Sequence, residues 1–181
     1  MTRNLFLLMF LLVGCYNDSV IPKPNAFLYK EFEKPTYKIY KSNCGYSFQT
    51  NDTSTISSDE CNLKINNKKL KSTIFITYIK IDNNLNLIES DFNEKMNENS
   101  KNAFFVKSSE YVSEGNNIFA KYFSFSGDTP SNTHFFLTDS VSFYFSGSLF
   151  FDSKPHYDSL IPSINYMNQD IRKLIQSFSW N

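Results

Sequence analysis

Few residues in this 181-residue chain can do chemistry: three cysteines, two histidines and a scatter of carboxylates. Cys15 comes first, at the end of the run Leu12-Val13-Gly14-Cys15, where an apolar stretch from Leu5 to Val13 turns polar. That stretch is too short for a bilayer-spanning helix, which takes about 20 apolar residues. It is also apolar all round, whereas a buried N-terminal helix would carry an amphipathic stripe. With Arg3 as a basic start and the small Gly14 before the thiol, it has the form of an export signal ending in a bacterial lipobox. On this reading cleavage follows Gly14. Cys15 takes an S-diacylglyceryl group, and its freed amine is N-acylated by a chain such as palmitate. Each buried methylene is worth about 0.8 kcal/mol, so two or more chains hold a protein on a membrane where one is marginal.

Export sets the expectation for Cys44 and Cys61, since oxidising compartments favour one disulfide between them. A metal pair or a catalytic thiol would call for Cys-x-x-Cys spacing or a neighbouring histidine, and neither is present. His134 opens a strand and His156 lies in the loop "SKPHYDS"; both read as surface or hydrogen-bonded histidines. Asp158 and Asp170 are the carboxylates nearest a plausible crevice, but three helical turns keep them from converging. No H-E-x-x-H, P-loop, G-x-S-x-G or dinucleotide fingerprint occurs. The chain therefore reads as a non-enzyme, with no catalytic, metal or cofactor-binding residues and only a covalent lipid at Cys15. The tripeptides at Ser19, Ser140 and Ser159 are similar to acceptors of Bacteroidetes O-glycosylation, with the tether copy at Ser19 read as the accessible one.

The elements that would carry these residues follow from periodicity. Lys+Arg and Asp+Glu balance at 18 each, so no basic field gathers phosphates and nucleic acid is not an expected partner. Nineteen Phe and 11 Tyr against 5 Gly suggest sheet faces covered by apolar layers. Residues 1–14 are read as the signal, 15–36 as a lipidated tether with the spacer Pro22-Lys23-Pro24, and 37–181 as one α+β domain. Strands are expected near Tyr37–Tyr40, in "CGYSFQT" and "CNLKI" around a polar loop Asn51–Asp59, and at Ser72–Ile81 as a central strand covered on both faces. Leu85, Ile88, Phe92 and Met96 mark a helix. Four strands follow, Phe104–Val112, Ile118–Ser126, Thr133–Asp139 and Val141–Phe151. A second helix closes the chain, capped by Asp158 or Ser159, with Pro162 in its first turn and a stripe through Leu160, Ile164, Met167, Ile171, Leu174 and Phe178. About six to seven mainly antiparallel strands with two covering helices resemble the PsbP/Mog1-type α/β/α sandwich.

Several stretches together resemble one family, the gliding motility lipoprotein GldD family of Bacteroidetes. They are the lipobox cysteine, "VIPKPNAF", "SNCGYSF", "DECNLKI", "FFLTDS" with "GSLFFDSKPHYDSL", and "DIRKLIQSFSW". The family's usual Pro-Lys-Pro-Arg-Gly-Tyr is here Pro22-Lys23-Pro24-Asn25-Ala26-Phe27, so no basic group is carried over after the second proline. The resemblance implies an envelope lipoprotein on the inner or outer membrane, facing the periplasm. It would serve gliding motility, tied to type IX secretion, as a non-catalytic scaffold whose partners are other envelope proteins of that machinery. A different class of reading is a periplasmic or surface binding module that takes a small ligand or glycan in the sandwich crevice. Thiol titration of the unfolded, unreduced mature chain is expected to find Cys44 and Cys61 both blocked; two free thiols would overturn the pairing.

Overall fold

The computed structural model describes residues 31–152 and 156–180, so Gly14, Cys15, Ser19 and the spacer prolines lie outside the described residues. The elements run β1 (Tyr37–Lys41), β2 (Tyr46–Asn51), β3 (Thr55–Asp59), β4 (Asn62–Asn67), β5 (Ser72–Lys80), α1 (Leu85–Ser100), β6 (Phe105–Ser113), β7 (Ile118–Ser126), β8 (Thr133–Thr138), β9 (Phe143–Phe151), α2 (Tyr157–Ser177) and β10 (Ser179–Trp180). Seven strands form one antiparallel sheet in the order β3-β4-β5-β9-β8-β7-β6, and β1-β2-β10 form a second, smaller sheet. The fold is α+β, with layers on both faces of the large sheet.

Alternation along each strand decides which layer a side chain meets. Ile74 and Ile76 of β5, Ile118 and Ala120 of β7, Phe135 and Leu137 of β8, and Phe145 and Leu149 of β9 point to the first face. There they meet Met167, Ile171, Leu174 and Ile175 of α2 and Tyr46 and Phe48 of β2. The second face is covered by α1, whose Ile88, Phe92 and Met96 pack on Phe125, Phe136 and Tyr144. The spacing 88, 92, 96 is the i, i+4 repeat of one helix face.

Four expectations need correction. The polar loop Asn51–Asp59 contains strand β3, which pairs along its whole length with β4; Ile56 is its single apolar residue, too little to show a period. The strand buried on both faces is β8, all six of whose residues are buried, and not β5. Helix α1 lies over β9, β8 and β7 and reaches β5 only near Ile79, which leaves Phe75 43 % exposed. At the start of α2 neither Asp158 nor Ser159 caps the helix. Instead the Tyr157 N–H donates to Asp128 Oδ1 at 2.8 Å, across 29 residues of chain, and the helix begins early enough to make Pro162 an interior residue.

Cys44 and Cys61 are bonded, with Cα atoms 5.7 Å apart. The bond joins two turns, one between β1 and β2 and one between β3 and β4, and so ties the small sheet to an edge hairpin of the large one. Tyr46 donates from its hydroxyl to the Cys61 carbonyl at 2.7 Å beside it. Packing also begins before Tyr37, since Phe32 meets Tyr166 of α2 at 4.9 Å between ring centroids.

Gly147 is the tightest point of the first face. It pairs directly with Phe135 across β9 and β8, and a Cβ on Gly147 would run into the Phe135 ring. Phe135 is wholly buried and has nowhere to swing. Overpacking of a close-packed core costs about 1–3 kcal/mol. Gly147→Ala is therefore expected to lower the unfolding free energy by about that amount in urea titrations; an unchanged midpoint would show that the ring gives way freely.

Candidate functional site

Sheet register brings together residues that lie far apart in sequence. On the second face one row of direct cross-strand partners crosses all seven strands: Ser57, Lys64, Phe75, Ser148, His134, Phe123 and Ser108. The next row holds Thr77, Ser146 and Phe136, and the one after it Ile79, Tyr144 and Thr138. Where α1 leaves these rows open, a cavity of about 160 Å³ forms, walled by Ile88, Asp91, Phe92 and Lys95 of the helix and floored by β5, β9 and β8. The C-terminal end of α1 is fixed by Asn99, which donates to the Ser131 carbonyl at 2.7 Å and accepts from the Ser131 N–H at 3.1 Å.

His134 is the central polar group of this floor. It is 6 % exposed, its Nδ1 lies 2.7 Å from Ser148 Oγ, and its ring meets Phe125 edge to face at 5.6 Å. Among the described residues its Nε2 has no hydrogen-bond partner, and neither has the buried hydroxyl of Tyr144. Burial, with the Lys95 ammonium adding to it, pushes the His134 imidazole down to about 4, so the ring is neutral at ordinary pH. Burial likewise raises the Tyr144 hydroxyl far above its usual value. The sequence reading of His134 as a hydrogen-bonded residue agrees with the Ser148 contact, but its central position on the floor could be known only from the pairing of β8 with β9.

The other residues singled out from the sequence do not gather here. His156 is exposed just before α2, and Asp158 is exposed in its first turn. Asp170 is buried on the opposite side of the sheet in a polar knot. Its Oδ1 accepts from the Tyr37 hydroxyl at 3.0 Å, and its Oδ2 from Asn51 Nδ2 at 3.0 Å. Asn51 Nδ2 also reaches the Tyr166 hydroxyl at 3.1 Å, so the knot joins β1, β2 and α2. Burial raises the Asp170 carboxyl, and the bonds from Asn51 and Tyr37 only partly offset it. Its role is structural. Ser140 and Ser159 are both exposed, so accessibility does not single out the tether serine as the glycosylation-like site. Among the described residues no three His, Cys, Asp or Glu side chains are grouped to hold a metal, and no helix is long and apolar enough to cross a membrane.

The large sheet ends in two unlike edges. Strand β3 is short and polar, Thr-Ile-Ser-Ser-Asp, which is how proteins usually guard an edge. Strand β6 is nine residues long, pairs on one side with β7, and lies mostly exposed. Phe105 and Val112 are each 63 % exposed, and Phe104 just before the strand is 85 % exposed.

A family model described as gliding motility lipoprotein GldD matches residues 17–180. No match to a curated protein was found.

The buried histidine gives the fold a pH dependence of defined sign. An unfolded imidazole binds its proton near 6.5, the folded one only near 4. The stability it confers is complete above pH 6.5 and is lost as pH falls from 6.5 towards 4. Asp170 works the other way, because a raised carboxyl favours the folded state at acid pH and loses that contribution as pH rises through its folded value. His134→Gln is expected to flatten the fall in unfolding free energy between those two pH values, measured by denaturant titration. Parallel curves for the two proteins would assign the acid sensitivity to other groups.

Proposed function

The chain belongs to the gliding motility lipoprotein GldD family, and from that premise we propose that it is a lipid-anchored envelope protein acting as a non-catalytic scaffold of the gliding machinery, linked to type IX secretion. Anchoring would rest on Cys15, carrying the S-diacylglyceryl and N-acyl chains. The disulfide between Cys44 and Cys61 is in keeping with an oxidising envelope compartment.

The observation that carries the scaffold reading is strand β6. Among the described residues the outer row of its backbone N–H and C=O groups has no strand beside it in the large sheet, and aromatic and β-branched side chains stand exposed along it. An unguarded edge of this length is a template for another strand. Its occupant is an extended segment of another envelope protein of the machinery, with main-chain bonds supplying affinity and Phe105 and Val112 supplying apolar contact. Lys107 on the strand leaves room for an opposite charge on the partner, while Glu110 is paired with Lys121 of β7 at 3.0 Å.

Crosslinking in cells tests this directly. A photoreactive residue at Ser109 is expected to capture a gliding or secretion component, whereas one at the exposed Asn86 of α1 is not. Phe105→Lys and Val112→Lys, at exposed positions where substitutions usually change stability by less than about 0.5 kcal/mol, are expected to abolish both the crosslink and spreading on agar. Full motility of a deletion strain, or equal capture from both positions, would refute the scaffold role.

A further inference from the structure

A strand added to β6 would meet more than β6, because on the first face α2 leaves a groove beside the sheet edge. The groove has a volume of about 150 Å³, with Ser109, Tyr111 and Tyr122 as its floor and Arg172, Ile175 and Gln176 of the helix as its wall. Alternation puts Phe105, Lys107, Ser109 and Tyr111 of β6 on this face, since Tyr111 pairs with the core residue Ala120 and Ser109 with Tyr122. Every second side chain of an added strand would therefore project over the groove.

The free charges there have one sign. The Arg172 guanidinium lies over the Tyr122 ring, 5.4 Å from its centroid, and Lys107 stands exposed on the same face as Ser109, two residues before it. Among the described residues neither cation forms an ion pair. Glu110 also borders the groove, but it belongs to the other face, where Lys121 holds its carboxylate at 3.0 Å. A guanidinium over a ring keeps its in-plane donors for a carboxylate, which takes two of them at once. Ser109 has the smallest side chain of the four, so the space lies opposite it.

A second copy of this chain does not supply the missing acid. Two β6 strands paired antiparallel about a two-fold axis set odd-numbered residues opposite odd-numbered ones, because directly opposed side chains share a face. Phe105, Lys107, Ser109, Tyr111 and Ser113 include no carboxylate. Self-pairing would gather two Lys107 and two Arg172 side chains on one face, and like charges so placed oppose it.

We propose that the segment that adds to β6 is acidic on this face: its residue opposite Ser109 is an aspartate or glutamate, received by Arg172 and Lys107. This rests on the strand-addition reading of β6 and names the chemistry of the partner. Val106 and Val112, exposed on the other face, take apolar residues of the same segment.

The test uses the purified full chain and the end-blocked, fluorescein-labelled peptide Val-Val-Thr-Glu-Thr-Thr-Val-Val, with versions carrying Gln or Lys in the fourth place. Fluorescence anisotropy at low salt is expected to show the Glu peptide binding about fivefold more tightly than the Gln peptide, the upper range for a partly exposed ion pair, and the Lys peptide more weakly still. Salt at about 0.5 M is expected to shrink the difference. Arg172→Glu is expected to reverse the order in favour of the Lys peptide, a result that loss of fold would not produce. Lys107→Gln, at an exposed position, is expected to reduce the Glu preference and decides alone should Arg172→Glu fail to fold. Equal binding of the three peptides, a Glu preference that neither substitution moves, silence from all three, or a dimer of the chain that Val112→Lys dissociates would each overturn the proposal. Failure of the β6 reading itself shows separately, as absence of capture at Ser109 in cells.

Discussion

A seven-stranded sheet with apolar side chains on both faces must be covered twice, and this chain has unequal material for the two. Strands lie about 4.8 Å apart and a helix with its side chains is about 10–12 Å wide, so one helix covers two to three strands. On the first face α2 is joined by the three-stranded sheet, and together they bury Ile65 of β4 as well as Ile118 of β7. On the second face α1 is the one covering helix among the described residues. The consequences are the exposed Phe75 and Phe150 towards one edge, the exposed β6 at the other, and a cavity where the helix fails to close on the floor.

The first face is where the fold is held shut. Phe178, wholly buried, stacks against Tyr46 and Phe48 at 5.8 and 6.4 Å and meets Trp180 edge to face at 4.5 Å. These contacts carry the last residues of the chain on to β2, where β10 adds as a third strand. The disulfide secures this same end of β2 to the large sheet, and the Asp170 knot, at Asn51, secures its other end to α2 and β1. Three kinds of interaction thus act on one small sheet: aromatic packing, a covalent cross-link, and a buried hydrogen-bond network. Each fixes a different neighbour, so the small sheet is part of the core and not an appendage.

The two faces are coupled through the strands they share. The rigid first face keeps β8 and β9 in register, which in turn holds His134 against Ser148 on the far side of the same two strands. The surface that could meet a partner lies where covering runs out, at β6.

Much of this architecture is legible along the chain. The alternation in Ser72–Lys80 and Phe143–Phe151, the i, i+4 repeat through Ile88, Phe92 and Met96, and the stripe of α2 are local patterns, and local patterns specify local structure. Family membership is legible for the same reason, being spread over short stretches in a fixed order. What the sequence could not show are the contacts between distant segments. Strand β3 has one apolar residue and exists because β4 pairs with it; β10 is two residues long and exists because β2 receives it. Asp128 caps a helix that starts 29 residues later. His134 gains its neutral, half-satisfied state from neighbours on β9 and α1. Side-chain period is a property of one segment, whereas register, burial and the vacancy under a helix are properties of several at once, and only the folded chain brings them together.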